Sequence, residues 1–80
     1  NYFLTFSLLE IVDISLHEDK LYTLSIGGEI SCWDLSLRDV ITKIQDDGNY
    51  KPTKIKASKD GKYIATGSYS GIVNLYSSFN

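Results

Sequence analysis

Cysteine, proline and histidine occur once each in the 80 residues, as Cys32, Pro52 and His17. A single cysteine excludes a disulfide framework and a cysteine-based metal cluster, and makes an intracellular setting the expected one. With one proline, almost every backbone amide can donate to a strand ladder. A lone histidine gives a metal ion or a general base no convergent partners. His17-Glu18-Asp19-Lys20 therefore reads as a solvated polar turn. No stretch reaches the roughly 18 consecutive apolar residues of a membrane-crossing helix. No secretory signal is visible, although a piece of a longer protein need not carry its N-terminus.

Charge of one sign is also lacking overall, the net being −2, but its distribution is uneven. Residues 1–50 hold three basic and nine acidic side chains, whereas residues 51–80 hold five lysines and one aspartate. Neither half is basic enough to define a nucleic-acid-binding domain by charge alone.

What is plentiful is β-branched and aromatic residues in short runs, which favour strands. The organising stretch is residues 25–34, Ser-Ile-Gly-Gly-Glu-Ile-Ser-Cys-Trp-Asp. Gly27 and Gly28 supply the positive φ angles of a tight two-residue turn, so the residues before them should fold back on Ile30 to Trp33. Ile30 and Cys32 then share one face, with Glu29, Ser31 and Trp33 on the other. Trp33 is expected to be largely buried against a neighbouring unit.

The pattern returns 43 residues later. Gly28 falls on Gly71, Ile30 on Val73, Cys32 on Leu75 and Trp33 on Tyr76. Upstream, Val12 falls on Ile55, Leu21 on Ile64, Thr23 on Thr66 and Ser25 on Ser68. A strand closing on Trp-Asp after a glycine turn, repeated at a spacing of roughly 40–45 residues, resembles the WD-repeat family. That resemblance implies an all-β fold, the WD40 β-propeller, here a fragment of about two consecutive four-stranded blades. Its structural signature falls on Gly27, Gly28, Trp33, Asp34, Gly71 and Tyr76. Residues 1–10 are read as the end of a preceding blade, 11–45 as one WD repeat, 46–52 as an inter-blade loop and 53–80 as a second, incomplete repeat.

Candidate chemistry is sparse. Gly67-Ser68-Tyr69-Ser70-Gly71 superficially matches the spacing of a nucleophile elbow, but Tyr69 stands where the serine belongs and no helix follows. Gly27-Gly28 lacks the lysine of a phosphate-binding loop, and Cys32 reads as a small buried apolar group. No catalytic, metal or cofactor-binding residue is assigned. Lys51, Lys54, Lys56, Lys59 and Lys62 are the candidate contacts for RNA or a partner. Lys54 and Lys56 alternate with Ile55 and Ala57 and so share a strand face, with the other three in loops at its ends. An ordinary solvated surface is the favoured reading of all five.

From Ile11 to Tyr76 the match extends to the WD-repeat subunits of the small-subunit processome, the UtpB subcomplex in particular. The strings that carry it are Gly28-Glu29-Ile30, Trp33-Asp34, Asp46-Asp47-Gly48, Gly67-Ser68 and Gly71 to Tyr76. This resemblance implies a nucleolar, non-enzymatic scaffold for pre-rRNA processing and small-subunit assembly. The implied partners are other WD-repeat processome subunits, with snoRNP and pre-rRNA as further candidates, and no membrane or small-molecule substrate. A WD-repeat adaptor for other complexes and a propeller enzyme are the alternatives. The Gly-His dipeptide and turn aspartate frequent in such blades are missing, Gly27 and Ser70 taking the aspartate's place, so that hydrogen-bond network is expected to be absent or rewired.

Overall fold

The computed structural model describes residues 10–45 and 51–77. Four strands, β1 (Ile11–His17), β2 (Lys20–Ser25), β3 (Glu29–Asp34) and β4 (Asp39–Gln45), form an antiparallel meander in the order β1-β2-β3-β4. A second antiparallel sheet, β5-β6-β7, comprises Pro52–Ala57, Tyr63–Ser68 and Val73–Ser77. All but Glu10 of the stretch read as the end of a preceding blade, and residues 46–50 of the expected inter-blade loop, lie outside the described residues.

Short alternating runs between turn residues produce this meander because consecutive strands pair most cheaply through tight connections. Leu24 pairs with Ile30 and Tyr22 with Cys32 across β2 and β3. The turn joining these strands departs from the expected two-residue form. It has three residues, Ile26, Gly27 and Gly28, and only Gly28 takes a positive φ, 88°. The Gly28 amide donates to the Ser25 carbonyl at 3.0 Å, and the Glu29 amide donates to Ser25 Oγ at 3.1 Å. A turn followed by one left-handed glycine keeps the strands' right-handed twist as a two-residue primed turn would.

The second hairpin repeats this arrangement. Gly71 has φ 90°, its amide donates to the Ser68 carbonyl at 3.1 Å, and the Ile72 amide donates to Ser68 Oγ at 3.3 Å. Ile-Gly-Gly and Tyr-Ser-Gly thus share the one feature the turn requires, glycine in third place. Ser70 Oγ lies 2.8 Å from Ser68 Oγ, a hydroxyl pair in the turn that lacks the aspartate.

The 43-residue correspondence holds from β2 onward but not on the inner strands. Leu16 pairs with Leu21, whereas Ala57 pairs with Ile64, so the β5–β6 connection is two residues longer than the β1–β2 connection. Ile14, opposite Thr23, is therefore the mate of Ile55, opposite Thr66. The correspondence of Val12 with Ile55 is corrected accordingly. The bulge between Ile11 and Asp13 recurs between Pro52 and Lys54, which fixes the new alignment independently. The cause lies in the turns. Glu18 and Asp19 alone separate β1 from β2, with Glu18 at φ 52°. The later loop is held open by Asp60, which accepts from Ser58 Oγ at 2.7 Å and from the Lys62 amide at 3.0 Å.

The two sheets pack face to face. Tyr22, Leu24, Ile30 and Cys32 of the first sheet meet Ile55 and Ile64 of the second in one buried cluster, with Ile44, Ala57 and Tyr76 at its margin. Each of the buried leucine and isoleucine side chains contributes about 1.5–3 kcal/mol by leaving water. Trp33 lies on the opposite face of its sheet, half-buried, paired with Leu21 on one side and Val40 on the other. It does not pack into the joint between the described sheets.

The inner strands are tied by side chains. β5 is an edge strand, and its outward amides need acceptors that no strand supplies. Asp13 and Ser15, two apart on β1, supply them. The Ile55 amide donates to Asp13 Oδ2 at 2.7 Å, and the Ala57 amide donates to Ser15 Oγ at 2.9 Å. Removing the acceptor at the first of these leaves a part-buried amide unpaired, an expected loss of about 1–3 kcal/mol for Asp13→Ala. Denaturant titration of the full-length protein measures it. Asp13→Asn, which keeps an acceptor oxygen, should recover most of the loss, and equal losses for both variants would refute the hydrogen bond as the cause.

Candidate functional site

The five candidate lysines separate into three settings, all of them exposed. Lys54 and Lys56 stand side by side on the face of β5 turned away from the first sheet. Lys59 belongs to the loop after β5 and lines the same hollow as Lys56, of about 240 Å³, with Tyr63, Ala65 and Leu75. One strand lysine and one loop lysine thus share a hollow. Lys54 and Lys56 line a second hollow of about 320 Å³ with Ala65, Gly67 and Val73, and Asp13 reaches its edge. Lys51 lies at the other end of β5, in a hollow shared with Val12, Ile26 and Tyr69. Lys62 follows Gly61 in the turn. None of the five makes an ion pair among the described residues.

This open face of the second sheet is also apolar. Val73 is 72% and Leu75 66% exposed, and the two alternate along β7. On the face of the first sheet turned away from the joint, Ile14 and Leu16 are exposed while Thr23 and Ser31 are buried.

The signature residues are distributed between turns and strands. Gly28 and Gly71 provide the left-handed turn positions, Gly27 an open one where a Cβ would meet nothing within 4 Å. Asp34 is a turn cap. Its Oδ1 accepts from the Ser36 amide at 2.9 Å and the Leu37 amide at 3.0 Å, and its Oδ2 lies 3.3 Å from Lys20 Nζ. The Leu37 amide, with Lys20 beside it, holds the Asp34 carboxyl below its ordinary range. Lys20 in turn is raised by its hydrogen bonds to Asp19 and Asp34. Tyr76, the mate of Trp33, packs onto the inter-sheet core.

A polar cleft runs along one edge of the joint, lined by His17, Glu18, Asp19, Lys20, Tyr22, Asp60 and Gly61. His17 Nε2 lies 3.8 Å from Glu18 Oε1. Gly61, at φ +75°, sits so close to the imidazole that a Cβ there would come within 2.6 Å of Nε2. No group of three or more potential metal ligands occurs among the described residues. Cys32 is wholly buried, and burial pushes its thiol up, with the Tyr22 hydroxyl partly offsetting that. A thiol in that state is a poor nucleophile.

Sequence reasoning singled out the lysines and the signature but not Asp13 and Ser15, whose oxygens accept the amides of β5. The acidic residue at an alternating position of an inner strand was the available signal. No helix of the described residues is long and apolar enough to cross a membrane.

No protein-family profile matches the chain. It is 42% identical over 57 residues to the U3 small nucleolar RNA-associated protein 18 homolog of Mus musculus, covering 71% of this chain and 10% of that protein. The Homo sapiens homolog is 37% identical over 57 residues, with the same coverage. The Arabidopsis thaliana homolog is 34% identical over 65 residues, covering 79% of this chain and 12% of that protein. The chain thus spans about a tenth of the length of the curated relatives it matches. Among solved structures, the β-propeller domain of Myceliophteria thermophila Cps50 (Swd1) superposes with a TM-score of 0.81 at 20% identity. The match covers 96% of this chain and 25% of that one. The chain has the WD40 β-propeller fold that its repeats lead one to expect.

Proposed function

We propose that this stretch of WD40 propeller belongs to a non-enzymatic scaffold of the small-subunit processome, supporting pre-rRNA processing and small ribosomal subunit assembly in the nucleolus. The supporting observation is the coincidence, in one chain, of propeller sheets with identity to proteins named for their association with U3 small nucleolar RNA. Residues 11–45 are read as one blade and 53–80 as a second, incomplete one. Sheet faces and strand-end loops suit contact with other proteins, but fold alone does not select the partner. The proposed partners are other WD-repeat processome subunits, with snoRNP and pre-rRNA following through the assembly. Affinity capture of the tagged full-length protein should recover U3 snoRNA together with processome subunits. Recovery of other complexes without either would replace this reading by that of a general WD-repeat adaptor.

A lesser component of this reading is direct RNA contact by exposed lysines, set against the favoured reading of a solvated surface. Each phosphate a lysine neutralises releases a counterion, so changing Lys51, Lys54, Lys56, Lys59 and Lys62 together to Gln flattens the salt dependence of RNA binding by about 0.7–0.9 in log–log slope per lost contact. We expect a change worth at most one or two contacts, from the loop lysines. An unchanged slope removes this component and leaves the scaffold reading intact.

A further inference from the structure

The corrected alignment of the two sheets turns the joint between them into a template for the open face of the second sheet. Asp13 and Ser15 on β1 are the mates of Lys54 and Lys56 on β5, because Ile14 and Ile55 occupy one register position and their bulges coincide. The face that meets the second sheet carries Tyr22, Leu24, Ile30 and Cys32. On the open face their mates are Ala65, Gly67, Val73 and Leu75. Two differences stand out. Both oxygen acceptors have become ammonium donors, and the two large residues of the central strand have become small ones.

Each difference has a physical consequence. In the existing joint, Asp13 and Ser15 accept amide hydrogens from the inner edge of the neighbouring sheet. An ammonium group has three donors and no acceptor, so Lys54 and Lys56 cannot serve outward-pointing amides. They require oxygens, and carboxylates answer both the hydrogen bonds and the charge. The loss of the Tyr22 and Leu24 bulk leaves the two hollows of about 240 and 320 Å³ on either side of Ala65. A Cβ at Gly67 would meet nothing within 4 Å. Interiors close-packed at crystal-like density leave no such gaps, so a covering surface must bring large side chains to them.

We infer that the open face of the second sheet closes on the next blade of the propeller ring through a joint of inverted polarity. That blade presents carboxylates to Lys54 and Lys56 and bulky apolar side chains to Ala65 and Gly67. The exposed apolar pair Val73 and Leu75 decides for a protein sheet over RNA, whose phosphates would meet the lysines but leave both side chains in water. A second copy of the first sheet does not fit either, since its free inner edge offers Lys54 and Lys56 the amides of Ile14 and Leu16, donor against donor. The inference rests on the fold and its register, not on the processome role.

Zero-length carbodiimide crosslinking of the full-length protein, read by mass spectrometry, joins a lysine only to a carboxylate in direct contact. The expected result is intramolecular crosslinks from Lys54 and Lys56 to acidic residues of the next blade, with both lysines protected from acetylation while Lys62 labels freely. Ala65→Leu should then lower the melting temperature of the full-length protein by filling space that the neighbour occupies. Free acetylation of Lys54 and Lys56 with a neutral Ala65→Leu would overturn the inference by showing an open face. Ultraviolet crosslinks from this face to RNA would do so in favour of nucleic acid. Carbodiimide crosslinks between isotopically distinct copies would do so in favour of self-association.

Discussion

Replacing Ile64 by alanine is expected to lower the unfolding free energy of the full-length protein by about 2–5 kcal/mol, the range for truncating a large aliphatic residue in a closed core. Ile64 is 1% exposed and sits on the central strand of its sheet, facing the buried cluster that both sheets build. The cavity left by truncation can relax only if one sheet moves toward the other. The tie from Asp13 and Ser15 to the amides of β5 resists that movement. Ile64→Val, which removes one methyl group, should lose no more than about 1.5 kcal/mol. Denaturant titration decides, and comparable small losses for both variants would show that the joint yields and that the two sheets are not held as one packed unit.

Trp33→Ala is expected to be still more damaging, by about 3–5 kcal/mol in the full-length protein. The argument is again one of register. Trp33 and Tyr76 occupy equivalent positions, and Tyr76 already packs against the neighbouring sheet's core. On the Trp33 side, Ile14 and Leu16 are 56 and 63% exposed. A surface carrying these with an indole is unusual unless something covers it. Trp33→Phe keeps much of the packing and should fall between the two extremes. A loss for the alanine variant below about 1 kcal/mol, in the range of ordinary surface substitutions, would mean that this face is left to solvent.

The fold was legible because its strongest signals are local. The glycine that closes each hairpin, the alternation along β3, and the Trp33–Tyr76 spacing all lie within one turn and its flanking strands. Such features survive translation along the sequence at a fixed spacing. What was not legible depended on a turn whose length differs between the units. Two additional residues before β6 preserve which face each side chain occupies, since strand periodicity is two. The apolar pattern therefore gave no sign that Val12 had been matched to the wrong partner. The same insensitivity hid the relation of Asp13 to Lys54 on which the chemistry of the faces depends. The double glycine misled for another reason, because a primed two-residue turn and a three-residue turn ending in glycine both accept Gly27-Gly28. As for the candidate lysines, their exposure and alternation followed from the sequence. Their company, Ala65, Val73 and Leu75 on the other two strands, followed only from the pairing of β5 with β6 and of β6 with β7.

The close approach of Gly61 to His17 bears on the geometry of a closed circle. Sheets arranged around an axis form wedges, and the angle of each wedge is set where neighbouring sheets come nearest. At this edge of the joint a glycine backbone rests on an imidazole, so a Cβ at position 61 would have to push the His17 ring aside. The backbone there, at φ +75°, is one that a side chain would also strain. Angles around a ring of 4–8 blades must sum to a full turn. Glycine at position 61 thus lets one joint of such a ring come together over His17 with both the imidazole and the backbone left at rest.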